Sequence, residues 1–275
     1  IVIASANAES QTPRRKPDRN DYMAAQTVSR PSMEKPTSNV PAVSFGDMPV
    51  TESLRPAGHA KINLGVKWAS RQADGLYLQS QYGTLRISPI GSAILRITFS
   101  RGQKLTDGVH PLIAVNRTDK NWKFRDTGKM IELTTGELTL QIDKLTGSGR
   151  YLDRTGSLLL AERRQECRQL EADRSWIFFD WQKKEQINAM GPAGQGGLKL
   201  RGGARIISTE GQLPFVLSDK GYAILPASSG TAISCDIPAY GSYLCMEGQE
   251  QQDYYFIAGK QQNILNAYAY LTGTL

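Results

Sequence analysis

Histidine is nearly absent from this chain, with His59 and His110 the two imidazoles in 275 residues. Cysteine is scarce too, and Cys167, Cys235 and Cys245 form no close Cys/His quartet of the kind a zinc site needs. No metal and no cofactor is expected. An odd number of thiols cannot all pair within one chain. Cys235 and Cys245 lie ten residues apart around a predicted turn, which leaves a hairpin disulfide open, although two buried thiols are the plainer expectation. No local motif supports a Cys–His nucleophile pair, and both histidines read as surface or loop residues. Long apolar runs are missing, so no membrane span is expected. Charge of one sign is also never segregated. The net charge is +7, but stretches such as Glu162-Arg163-Arg164-Gln165-Glu166 mix the signs. Without a basic stripe, nucleic acid is not an expected partner.

Helical periodicity is rare until the end of the chain. What fills the sequence is a series of short apolar runs broken by glycine and polar turns, the pattern of antiparallel strands. Strands are predicted at 63–68, 76–80, 84–88, 94–99, 129–133, 137–142, 150–153 and 158–160. Alternation places Leu95, Ile97 and Phe99 on one face, and Leu138, Leu140 and Ile142 on another. A hairpin is predicted over Pro214–Leu225, its turn closed by Gly221, which can take a positive φ at little cost. The aromatic run Trp176-Ile177-Phe178-Phe179-Asp180-Trp181 fits a core strand better than a sugar-stacking platform. Ile264, Leu265, Tyr268 and Leu271 recur at helical spacing, with Gly273 as a stop. The fold class is therefore all-β, an antiparallel β-sandwich with a short C-terminal helix.

The N-terminal part has a different composition. It opens on Ile1, as a processed or incomplete chain would, and Ala6-Asn7-Ala8 resembles the end of a secretory signal. From Glu9 to Pro56 it is polar and carries seven of the 13 prolines, which reads as a flexible, disordered arm or linker. Order is expected to begin near Lys61. The expected division is thus an arm over 1–56, a sandwich over 57–258 and a helical segment over 259–275.

Several stretches taken together resemble a known family. These are Gly194-Gln195 with Leu198-Lys199-Leu200-Arg201-Gly202, then Leu213-Pro214-Phe215-Val216-Leu217-Ser218 leading to Gly221-Tyr222-Ala223-Ile224-Leu225. Asp253-Tyr254-Tyr255-Phe256-Ile257-Ala258-Gly259 and Ala267-Tyr268-Ala269-Tyr270-Leu271-Thr272-Gly273 complete the set. In order and spacing they resemble the N-terminal β-sandwich of glycoside hydrolase family 31, the α-glucosidase and α-xylosidase family. The resemblance runs from about Leu76 onward and does not cover the arm.

That resemblance implies a galactose-mutarotase-like sandwich preceding a (β/α)₈ barrel, which carries the two catalytic aspartates of retaining hydrolysis. The sequence ends at Leu275, where the family enters its barrel, so no catalytic residue is expected here. The implied role is an accessory domain of an α-glycosidase, with a (β/α)₈ domain or chain and an α-linked carbohydrate as partners. Part of the surface over 264–271 should then be apolar and exposed. A stand-alone carbohydrate-binding module is the alternative, and a mutarotase-like enzyme is disfavoured by the lack of histidine. The family often has Asn-Thr-Glu before the Pro-Phe strand, whereas this chain has Ser208-Thr209-Glu210, and its glycine-rich segment departs from the family pattern. Gln195, Thr209 and Glu210 are the candidate sugar contacts, against the plainer reading of ordinary turn residues. Independent hydrolysis would need two carboxyls about 5 Å apart. Spacing singles out no pair among Asp173, Asp180, Asp219, Glu247, Glu250 and Asp253.

Overall fold

The structure, a computed structural model, describes residues 43–56, 62–102, 105–171, 173–191, 197–209, 213–248 and 250–273. Nineteen strands and one α-helix are formed among them. In chain order the strands are β1 (Val66–Gln72), β2 (Gly75–Ser80), β3 (Thr84–Gly91), β4 (Ile94–Ser100), β5 (Lys123–Asp126), β6 (Met130–Thr134) and β7 (Leu138–Asp143). Next come β8 (Gly149–Asp153), β9 (Leu158–Ala161), β10 (Arg168–Leu170), β11 (Arg174–Phe178), β12 (Ile187–Met190) and β13 (Leu198–Lys199). The last are β14 (Ala204–Ser208), β15 (Phe215–Ser218), β16 (Tyr222–Pro226), β17 (Ala232–Ile237), β18 (Gly241–Glu247) and β19 (Gln252–Ala258), followed by helix α1 (Gln261–Thr272).

The strands form three antiparallel sheets. A large sheet has the order β1-β2-β3-β4-β19-β16-β15-β12-β13, a second has β10-β11-β18-β17-β14, and a third is the meander β5-β6-β7-β8-β9. The two smaller sheets pack against the large one through a shared core. Leu95, Ile97, Phe99 and Phe256 of the large sheet meet Leu138, Leu140 and Ile142 of the meander and Ile177 and Leu244 of the second sheet. Both alternating triplets expected from the sequence thus point into this core.

The outer face of the large sheet is covered as well. Ile94, Ala223, Leu225, Tyr255 and Ile257 lie against Ile264 and Leu271 of α1. Burial on both faces explains why β16 and β19 are buried along their whole length and read as continuous apolar runs without alternation. The helix ends at Gly273, which takes the left-handed conformation at φ 68°, as the sequence anticipates.

A third cluster covers the outer face of the second sheet, where Trp176, Phe178, Cys235, Tyr243 and Cys245 pack with Leu54. The fold therefore reaches further toward the N-terminus than Lys61. Residues 43–56, read from sequence as part of the arm, hold a 3₁₀ turn at Thr51–Leu54. The Gly46 amide donates to the Ile206 carbonyl at 2.8 Å, and the Ile206 amide donates to Asp47 at 2.9 Å. The composition of this segment is loop-like, but its backbone is bound to the edge strand β14. Residues 1–42, with Ala6-Asn7-Ala8, lie outside the described residues.

All three cysteines are buried and free. Cys235 sits opposite Tyr243, and Cys245 opposite Ile233, so the hairpin register keeps the two thiols from facing each other. Trp176, Phe178 and Phe179 are buried, which makes the aromatic run a core strand. In α1, Leu265 stays 38% exposed while Ile264 and Leu271 are fully buried.

Candidate functional site

Strand ends and turns from distant parts of the chain converge on one open cleft of about 1440 Å³. The β3–β4 turn brings Ser92 and Ala93, the β6–β7 turn Glu137, and the β8–β9 turn Asp153, Arg154 and Thr155. Gln186, Asn188 and Met190 come from β12 and the residue before it. The β15–β16 turn brings Asp219, Lys220 and Gly221, and the start of α1 adds Lys260, Gln261 and Asn263.

Hydrogen bonds fix these turns to one another. The Ala258 amide donates to the Ala93 carbonyl and the Glu137 amide to the Ser92 carbonyl, which joins the meander to the large sheet. Asp219 accepts the Gln186 amide at 3.0 Å and returns its own amide to the Gln186 carbonyl at the same distance. Beneath that turn the buried Glu185 carboxylate accepts the Tyr222 hydroxyl at 2.6 Å, the Ser218 hydroxyl at 2.5 Å and the Gln182 amide at 2.7 Å. Burial, and then the Glu185 charge, push the Tyr222 phenol well above its ordinary range, so it stays a neutral donor.

The carboxylates of the cleft are occupied in building it. Asp153 accepts the Thr155 hydroxyl at 2.7 Å and the amides of Thr155 and Ser157 at 2.8 and 2.9 Å. Those bonds, the Thr155 hydroxyl foremost, hold its carboxyl below the usual carboxylate range. Glu137 lies 4.0 Å from Arg154. Among the acids considered from sequence, Asp253 is buried on β19 and paired with Arg96, and Glu247 is paired with Arg174. No group of three or more His, Cys, Asp or Glu suited to a metal ion occurs among the described residues. His110 is buried in its loop, its Nδ1 accepting the Leu112 amide at 3.2 Å, while His59 lies outside the described residues.

Of the three candidate sugar contacts, Gln195 and Glu210 lie outside the described residues, and Thr209 sits half-buried just after β14. Thr209 is not among the residues that line the cleft. The cleft itself had no local signature, because its lining comes from six separate turns and strand ends.

No protein-family model matches the sequence, and no curated protein matches it. Solved structures do match. A GH31 dextranase from Flavobacterium johnsoniae, solved with glucose, superposes with a TM-score of 0.67 over 78% of this chain and 28% of its own, at 16% identity. A GH31 α-xylosidase from a soil metagenome, solved with xylose, gives 0.63 over 75% and 34%, at 18% identity. A cycloalternan-forming enzyme from Listeria monocytogenes, solved with a pentasaccharide substrate, gives 0.63 over 76% and 22%, at 18% identity. The chain spans about a third or less of the length of each. These residues therefore share their fold with a minor part of several GH31 enzymes, the family whose sandwich the sequence resembles.

Proposed function

We propose that these residues form the accessory sandwich of a family 31-like α-glycosidase, an α-glucosidase or α-xylosidase, and are not catalytic by themselves. They would support a (β/α)₈ catalytic domain or chain and shape the outer subsites for an α-linked carbohydrate. One observation carries this reading: about three quarters of the chain superposes on a fraction of each GH31 enzyme, in agreement with the ordered motifs between Gly194 and Gly273. The assignment of the carboxylates fits it, since Asp153, Asp219 and Asp253 are all engaged in holding the fold. Leu265 and Tyr270, the latter 46% exposed, supply apolar surface on α1. Gln195, Thr209 and Glu210 remain the proposed sugar contacts of this domain.

A stand-alone carbohydrate-binding module is the second reading. The large cleft, lined by polar and apolar groups alike, favours it, and the burial of Trp176, Phe178 and Phe179 weighs against a stacking platform. Size-exclusion chromatography with the product of the adjacent reading frame separates the two readings. Co-elution as one complex is expected for the accessory domain, and separate elution with measurable sugar affinity would favour the module.

A further inference from the structure

The cleft lining does not include Thr209, in the loop after β14. β15 begins at Phe215, shortly after that loop, and ends at Ser218 against the Asp219-Lys220-Gly221 turn that lines the cleft. The cleft is therefore distinct from the proposed contact at Thr209. Its composition is specific about what it could take. Three acids, Glu137, Asp153 and Asp219, are balanced by three bases, Arg154, Lys220 and Lys260. Neither a polyanion nor a polycation gains from such a surface.

The uncharged polar side chains are four amides and the hydroxyls of Ser92, Thr155 and Ser218. Gln186, Asn188, Gln261 and Asn263 line the cleft, and each amide both donates and accepts. A ligand dense in hydroxyl groups, which also donate and accept, matches that inventory. At about 1440 Å³ the cleft exceeds the ~300–1,000 Å³ usual for a single small molecule, so it has room for a chain of rings. Leu159, Met190 and Leu217 supply apolar patches between the polar groups, suited to the C–H faces of such rings. The walls are strand ends and pinned turns, so little ordering is needed on binding.

We propose that this cleft is a secondary binding site for a neutral α-linked gluco-oligosaccharide. The choice of α-glucan rests on the proposed function, and the neutral, multi-ring character rests on the cleft. No aromatic side chain lines it among the described residues, so affinity without stacking is expected in the millimolar range.

Calorimetric titration of the full chain with maltotetraose and isomaltotetraose tests this. Binding of at least one sugar is expected. Asn188→Ala and Asn263→Ala should each weaken it roughly five- to tenfold, the loss of about one hydrogen bond. Gly197→Trp should abolish it by filling the cleft. A Cβ on Gly197 would meet Asn188 and Met190 at an ordinary 3.6 Å, so this variant should fold, as circular dichroism would verify. No heat with either sugar overturns the proposal, as does binding that Gly197→Trp leaves unchanged. Inorganic phosphate that binds the cleft and displaces the sugar would reassign it to anions and overturn it too. Failure here, with the chain still co-eluting with a barrel, removes the secondary site and leaves the accessory role standing.

Discussion

The amide of Gly259 donates to the carbonyl of Gly221 at 2.9 Å, and this contact ties the β15–β16 turn to the start of α1 on the floor of the cleft. Gly221 sits at φ 84°, and a Cβ there would lie 3.2 Å from the Gly259 oxygen. Strain from the left-handed conformation alone costs a non-glycine residue about 1–2 kcal/mol. Gly221→Ala should therefore lower stability by at least that amount in urea unfolding. Oligosaccharide binding should weaken as well, because the turn carrying Lys220 would shift.

A second prediction concerns the outer face of the large sheet. Arg96 on β4 and Asp253 on β19 are both almost fully buried and form an ion pair, with Arg96 Nε 3.0 Å from Asp253 Oδ1. Arg96 also donates to Asn116 and to the Gly108 carbonyl, so it pins the loop that crosses this face. Asp253→Ala strands a buried guanidinium and should cost about 3–5 kcal/mol. Replacing both residues by Leu and Met should cost much less. Chemical unfolding of the single and double variants reads the difference.

His110 predicts a pH dependence. Burial holds its imidazole below its ordinary value of about 6.5, against the pull of the Ser228 backbone and the Asp253 charge. In the unfolded chain the group takes up its proton first as pH falls. Stability should therefore be complete above about 6.5 and decline as pH drops from there toward the depressed folded value, levelling below it. Thermal unfolding across that range should show a shallower decline in His110→Gln. An equal slope in both proteins would remove His110 as the cause.

The cysteines should be inert in the folded protein. Burial pushes the thiols of Cys167 and Cys245 up to about 12 and raises Cys235 as well, and thiolate is the reactive form. Ellman's reagent should label none of the three in native buffer and all of them in guanidinium. Rapid labelling before unfolding would contradict their placement.

Much of this architecture could be read directly from local pattern. Leu138, Leu140 and Ile142 alternate because one face of β7 meets the core. The hairpin over Pro214–Leu225 was visible because a glycine needing positive φ sits between two apolar runs. Residues 43–56 were misread because a segment rich in proline and polar residues forms few strands, yet Leu54 and the Asp47 carbonyl bind the sheet from outside. Helical spacing alone does not say which of Ile264 and Leu265 turns inward; the sheet buries Ile264 and leaves Leu265 exposed. The Arg96–Asp253 pair and the cleft were invisible, since residues more than a hundred positions apart carry no shared local signal. Of the sugar contacts drawn from resemblance, Thr209 lies away from the cleft lining.

The measurement that bears most directly on the proposed role is turnover of p-nitrophenyl α-glucoside and p-nitrophenyl α-xyloside. It should be run with the purified chain alone and mixed with the product of the adjacent reading frame. An accessory sandwich predicts no turnover by the chain alone and hydrolysis in the mixture. Hydrolysis by the chain alone would contradict it, because a working carboxyl pair would then exist among residues assigned here to holding the fold.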